Sequence, residues 1–229
     1  MMKRVADLAA VNTPGHLIEN AEPRWLAIIA LLAVGSLYAA LPEAVVVGPR
    51  WILPALIVVL IVPTIITHRV GRHSLNQILG FTINTIITGA MIVSLVLLIA
   101  ALPLKKEPPA ALLASAAELW LTNVLVFALW YWRLDAGGPT ARDLRGCHTH
   151  GDFLFPQLTL DADLRAQLGQ TNWSLRFIDY LFIAFNTSTA FSPTDVPVLS
   201  RWAKLLCMVQ SAISLTTLAV LVSRGINVL

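Results

Sequence analysis

The residues best suited to chemistry form a short polar segment near the C-terminus, between an apolar stretch and a long apolar helix. It combines hydroxyl groups with one carboxylate, contributed by Thr187, Thr189, Ser192, Thr194 and Asp195. Pro193 interrupts this segment and makes it poor helix material. Irregular backbone at membrane depth persists only inside protein or beside a water-filled cavity. Hydroxyl and carbonyl dipoles with an acidic ring would favour small cations, so we predict a pore constriction here.

The last apolar helix carries a polar stripe. Gln210, Ser214 and Thr217 recur at spacings that put them on one helix face. Such a face could line the vestibule of a pore. A face that packs against neighbouring helices through hydrogen bonds would look the same, so both interpretations stay open.

Glu118 is the only acid well inside an apolar stretch. Burying a carboxylate in lipid is costly, which makes it a candidate proton or ion site. Glu118 would then be protonated or hydrogen-bonded to Asn84, inside another apolar stretch, or to Asn123. The alternative is that Glu118 lies close enough to an interface to stay hydrated.

Other chemistry has little support in the sequence. Cys147, His148 and His150 could begin a zinc site, but no fourth ligand follows at a familiar spacing, so we expect no metal and no cofactor. No nucleophile with a base and no nucleotide-binding loop is visible, so we expect no enzymatic activity. A formal net charge of +3, spread along the chain, gives no reason to expect nucleic acid as a partner.

The composition indicates an integral membrane protein, with the lipid bilayer as its first partner. Of 229 residues, 57% are hydrophobic and 13% are charged, against about 25% charged in a typical soluble domain. Five apolar stretches approach the length needed for a hydrocarbon core of about 30 Å. They are Trp25–Leu41, Trp51–Thr67, Ile83–Leu102, Ala110–Trp132 and Ala203–Val222.

These stretches predict an all-α membrane protein with five transmembrane helices and one re-entrant, pore-like helix before the last span. Residues 177–191 would reach only about 22 Å as a helix and are polar at one end, so a sixth span is the less favoured alternative. We expect Ser174 to cap this helix and Thr189 to end it. The predicted regions are a tail (1–24), four spans (25–132), a polar loop (133–173) and the pore-like segment with the final helix (174–229).

The basic residues predict the orientation. With five spans and a cytoplasmic N-terminus, 12 of the 16 Lys and Arg residues lie on the cytoplasmic side. The positive-inside rule therefore favours this arrangement in the plasma membrane.

The C-terminal region resembles the pore module of potassium channels. The matching order is Asp179, Thr187 with Thr189, Asp195 and then the final helix, over about 50 residues. Phe191-Ser192-Pro193-Thr194 stands where that family has Gly-Tyr-Gly. The resemblance implies that four copies surround one axis.

Most of the chain more closely resembles a family of uncharacterised bacterial inner-membrane proteins with a pore-like C-terminal region. The matching motifs are Trp130-Tyr131-Trp132, Asp152-Phe153, Asp179-Tyr180-Leu181-Phe182, Thr187–Thr189, Asp195 and Ser200-Arg201. This family implies a fold and a location, but no activity.

Together these features predict passive permeation of small monovalent cations through a homo-oligomeric pore. One pore-like segment per chain cannot enclose a pore, so several copies are required. The alternatives are a non-conducting membrane scaffold or partner subunit, and a proton-linked transporter that uses Glu118.

Overall fold

The computed structural model describes residues 22–103, 108–145, 148, 150–191 and 195–228, with side chains up to residue 223. The described chain is helical, apart from turns and an isolated antiparallel bridge between Phe153 and Val198. Its helices are α1 (Trp25–Ala40), α2 (Ile52–Arg69), α3 (His73–Ala101), α4 (Pro109–Leu134), α5 (Pro139–Arg145), α6 (Pro156–Thr159), α7 (Ala162–Gln167), α8 (Phe177–Thr189) and α9 (Arg201–Val228). Short 3₁₀ turns occupy Glu43–Val45 and Asp135–Gly137.

Within the described residues, four helices are long and apolar enough to cross a membrane: α2, α3, α4 and α9. The predicted all-α class is confirmed for the described residues, and these four helices fit the predicted membrane class. Helix α1 is apolar over 16 residues, which is shorter than the roughly 20 residues of a typical span. The fifth span therefore stays a prediction.

Two helix starts differ from their predicted positions. Helix α3 begins at His73, well before the apolar stretch that starts at Ile83, because the polar first turns continue the same helix. Helix α8 ends at Thr189 as predicted, but it begins at Phe177. The backbone N–H of Arg176 donates to Asp179 Oδ2 at 2.7 Å, so Asp179 caps this end and the predicted Ser174 cap is wrong.

Helix α4 is the centre of the bundle. It packs against α1, α3, α8 and α9, and its residues from Val126 to Leu129 are almost fully buried. Helices α2 and α9 instead expose large apolar side chains, such as Val59 and Met208, on their outer faces. An apolar outer surface around a packed core suits a lipid environment, because lipid tails are as apolar as the protein interior and apolar side chains can face either one.

Helices α8 and α9 begin at the same end of the bundle. Phe177 packs on Trp132, with ring centroids 5.9 Å apart, near the C-terminal end of α4. Eleven residues further, Ser188 lies beside Asn123, well inside the bundle. The chain then returns, because Leu199 N donates to Asp152 O at 2.8 Å, and Asp152 N donates to Asp135 Oδ1 at the end of α4.

The predicted polar loop covers this end of the bundle. The side chains of Phe153 and Phe155 are buried, 5.1 Å from Tyr131 and 5.6 Å from Tyr180 between ring centroids. At its start, Gly138 has a φ of 90°, and a Cβ there would lie 2.7 Å from the Arg133 carbonyl oxygen. Only glycine permits this turn, which brings α5 back against the end of α4.

Candidate functional site

A buried hydrogen-bond cluster joins the tip of α8 to α4 and α9. Gln210 Nε2 donates to the Ala184 carbonyl oxygen at 2.7 Å and to Ser188 Oγ at 2.8 Å. The Tyr131 hydroxyl donates to Gln210 Oε1 from α4. The Gln210 side chain therefore links three helices at one point.

Ser214 and Asn123 complete this cluster. Ser214 Oγ donates to the Ser188 carbonyl oxygen at 2.6 Å and accepts from Trp120 Nε1 at 3.1 Å. Asn123 Nδ2 donates to the Gln210 carbonyl oxygen at 3.3 Å. The bonds from Gln210 and Ser214 reach carbonyl groups near the end of α8, where the last carbonyls of a helix lack partners within the helix.

The predicted vestibule residues are inside the chain. Gln210, Ser214 and Thr217 have no exposed surface. Gln210 and Ser214 bond to α4 and α8, while the Thr217 hydroxyl donates to Ile213 O of its own helix at 2.8 Å. In the single chain this stripe is a packing face, one of the two interpretations left open by the sequence.

The predicted constriction residues divide between the interior and the surface. Thr187 is fully buried, and its hydroxyl donates to Ile183 O at 2.8 Å. Thr189 and Asp195 are exposed. Ser192 and Thr194 lie outside the described residues.

Asn84 and Glu118 are not brought together. Trp130 Nε1 donates to Thr88 Oγ1 at 2.8 Å, and Arg133 Nη1 donates to Asn76 O, which fixes the antiparallel register of α3 and α4. Along α3, Asn84 lies between the residues that contact Trp130 and Arg133. Glu118 lies roughly 18 Å from Trp130 along α4, towards the other end of the bundle. Asn84 Nδ2 and Glu118 Oε2 are both buried without hydrogen-bond partners among the described residues.

A second cluster, around Asp135, was not predicted. Asp135 is fully buried. Its Oδ2 accepts from the Tyr180 hydroxyl at 2.6 Å and lies 2.6 Å from His148 Nε2. Its Oδ1 accepts from the Asp152 N–H at 2.5 Å. One carboxylate thus joins the end of α4, the polar loop and the first turn of α8.

A buried ion pair adjoins Asp135. Arg142 Nη2 lies 3.0 Å from Glu22 Oε2, and the two side chains are only 2% and 4% exposed. Arg142 Nη1 also donates to the carbonyl oxygens of Trp132 (3.0 Å) and Asp135 (2.9 Å). The Trp132 indole N–H donates to Glu22 at 2.8 Å. Each buried charge therefore has several partners, as low-dielectric surroundings demand.

This second cluster fastens the start of α8 to the end of α4. The sequence indicates only an orienting role for the basic residues of this region, because Glu22 and Arg142 are 120 residues apart in the chain and no pattern links them. His148 of the considered zinc site pairs with Asp135 through Nε2, and Cys147 lies outside the described residues. Across the described residues, no group of three or more His, Cys, Asp or Glu side chains could hold a metal ion.

No protein-family model matches this chain, and comparisons with curated proteins and with solved structures give no match either. The resemblances to the uncharacterised membrane family and to potassium-channel pores therefore rest on the sequence motifs alone.

Proposed function

We propose that this chain is an ion-channel-like membrane protein, without enzymatic activity, that lets small monovalent cations pass passively through a homo-oligomeric pore. The observation that carries the proposal is the position and exposure of the α8 tip. In this proposal α1, α2, α3, α4 and α9 span the bilayer, and α8 enters it without crossing.

The path of the chain supports a re-entrant α8. Its 13 residues cover about 20 Å, well short of the roughly 30 Å hydrocarbon core. The helix starts beside Trp132, and the chain is back beside Asp152 before α9 begins. Six spans would require α8 to end at the opposite face, which these contacts do not favour.

The exposure of the tip supports an assembly. Thr189, Ala190 and Phe191 are exposed, and Phe191 has a φ of 55°, so the helix has ended there. Irregular backbone cannot face hydrocarbon, because its polar groups would stay unsatisfied. The tip must therefore meet water or another copy of the chain, and copies around one axis would provide both, four by analogy with potassium-channel pores.

The positions of the hydroxyl groups refine which residues would meet ions. Thr189 and Asp195 are exposed, and with Ser192 and Thr194 they would form the constriction. Four other polar residues are buried inside the chain and would instead support the tip without contacting ions: Thr187, Gln210, Ser214 and Thr217. The acidic ring from Asp195 would favour cations over anions.

The charge distribution supports a plasma-membrane protein with a cytoplasmic N-terminus. Arg69 and Arg72 flank the turn before α3, and Asn76 just beyond them bonds to Arg133 at the end of α4. Arg142 and Arg145 lie at the same end, so this face collects basic residues, as cytoplasmic faces do.

A second candidate, a non-conducting membrane subunit, is favoured by the surface of α8. Ile178, Phe182 and Phe185 are each about half exposed and share one helix face. Such a face suits lipid or a protein partner better than a column of water. Proton-linked transport has less support, because Asn84 and Glu118 are far apart along the bundle.

Flux through liposomes distinguishes these candidates. Purified protein in potassium-loaded vesicles should release potassium down its gradient, and Asp195→Asn should reduce the cation flux. Asp163→Asn, an exposed acid in α7, is the matched control and should leave the flux unchanged. A vesicle that stays tight at high protein density would favour the non-conducting subunit.

A further inference from the structure

We propose that Arg133 forms a binding site for a phosphate group at the end of the bundle that contains Asp135. The ligand is a phosphodiester of an anionic lipid headgroup or a free phosphate ion, which share the same recognition chemistry. The site lies between α3, the end of α4 and the start of α5. It is separate from the α8 tip and does not depend on permeation.

Arg133 is a buried cation without a carboxylate partner. It is 8% exposed. In the described part of the chain, its guanidinium makes one hydrogen bond, to the Asn76 carbonyl oxygen at 3.4 Å, and no ion pair. Buried arginines are normally paired, because removing a cation from water is costly. An anionic ligand would supply the missing partner.

Arg133 lines a cavity of about 130 Å³. This is far more than the roughly 10–15 Å³ that one water requires, so a larger polar group fits. Its lining includes Arg133, His73, Ser74, Gln77 and Thr140, and no carboxylate. Hydroxyl, amide and imidazole groups around a guanidinium can all donate hydrogen bonds to phosphate oxygens.

The position of the guanidinium is fixed by its surroundings. It lies against Gly80 of α3, where any Cβ would overlap its atoms. Its Cζ is also 5.5 Å from the centre of the Trp132 ring. A planar guanidinium held in this way presents a fixed fork of donors, which is the geometry that binds phosphate bidentately.

The carboxylates near Arg133 are already paired, Asp143 with Arg24 and Glu22 with Arg142, so neither neutralises its charge. Arg24 also lies over the Trp132 ring, 5.6 Å from its centre, and its own partner is Asp143 at 2.5 Å. His73 lines the cavity, and Arg72 is exposed directly before it. Anionic headgroups lie at the depth where α3 begins and α4 ends, so an anionic phospholipid is the source that this position most readily offers.

Binding to the full-length protein in detergent tests this proposal. The probes are short-chain phosphatidylglycerol, short-chain phosphatidylcholine and inorganic phosphate, each titrated separately by calorimetry. We expect phosphatidylglycerol to bind, and Arg133→Gln to weaken it roughly tenfold to hundredfold, the range for losing hydrogen bonds to a charged group. Arg201→Gln, an exposed arginine at the start of α9, is the matched control and should bind normally.

The three probes distinguish the sources. Binding of phosphatidylglycerol but not inorganic phosphate identifies a lipid site, which is specific for an anionic headgroup if phosphatidylcholine does not bind. Binding of both phosphatidylglycerol and inorganic phosphate identifies a general phosphate site. Two further variants keep the test decisive if Arg133→Gln does not fold. Arg133→Lys should bind with intermediate affinity, and Gln77→Leu should weaken binding while Arg133 is intact. Equal affinity in the wild-type protein, Arg133→Lys and Gln77→Leu, or no binding of any probe, would overturn the proposal.

Discussion

The hydroxyl of Tyr180 donates a 2.6 Å hydrogen bond to Asp135 Oδ2, and this bond joins the first turns of α8 to the end of α4. Both residues are fully buried. Asp135 also receives the Asp152 N–H from the segment that bridges to Val198, just before α9. One carboxylate therefore fixes both the entry and the exit of the chain around α8.

The first prediction concerns this bond. Tyr180→Phe removes one donor from a buried carboxylate and should lower the free energy of unfolding by about 1–3 kcal/mol. The measurement is unfolding in mixed micelles titrated with denaturing detergent. Tyr38→Phe is the control, because Tyr38 is a buried residue of α1 whose hydroxyl makes no hydrogen bond within the described part of the chain; it should change stability by less than about 0.5 kcal/mol. Equal effects of both changes would refute the role of Asp135.

The second prediction compares a buried ion pair with an exposed one. Arg142→Gln leaves Glu22 buried without its cation and should cost about 3–5 kcal/mol. Arg50→Gln breaks the exposed pair with Glu43, whose side chains are 50% and 82% exposed, and should cost at most about 1 kcal/mol. Adding Glu22→Gln to Arg142→Gln should recover part of the loss, as a double-mutant cycle would show. Strict additivity would mean that the pair is not coupled.

The third prediction concerns the α8 tip. Gln210→Leu removes the side chain that bonds to Ala184, Ser188 and Tyr131, and should cost about 1–3 kcal/mol. Thr216→Val on the same helix is the control, because Thr216 is exposed and bonds only within α9. If the tip supports a constriction, Gln210→Leu should also alter the ion flux of liposomes, whereas Thr216→Val should not. A stable Gln210→Leu protein would show that these bonds add little.

The fourth prediction concerns the path of the chain. In a background without Cys147 and Cys207, single cysteines at Gln170 and Asp195 should react with an impermeant reagent from the same side of the membrane. Both positions are exposed or partly exposed and flank α8. A cysteine at Val47, 65% exposed between α1 and α2, should react from the other side. Labelling of residues 170 and 195 from opposite sides would establish α8 as a sixth span.

Much of the helical framework could be predicted from the sequence. Apolar runs set α2, α3, α4 and α9, because a helix satisfies its own backbone in lipid. The end of α8 at Thr189 also followed from the polar residues beyond it. The start of α3 did not, since its polar first turns resemble a loop when only hydropathy is considered.

The candidate sites were harder to predict. Gln210, Ser214 and Thr217 share a face at helical spacing, and this spacing is identical whether the face meets water or another helix. Glu22 and Arg142 are distant in sequence, and no periodic pattern connects a tail to a loop. The sequence indicates only an orienting charge at Arg133, because the cavity that Arg133 lines is formed by separate segments of the chain.

The sequence by itself determined that the chain is helical, with stretches long and apolar enough to cross a membrane, because hydropathy and length depend only on the order of residues. Only the tertiary structure decided which polar groups are hidden and which are free. Thr187 bonds inside the chain while Thr189 is exposed, although they are two residues apart. The physical reason is that burial depends on which helices lie opposite each side chain, and that arrangement is set by packing across the whole bundle.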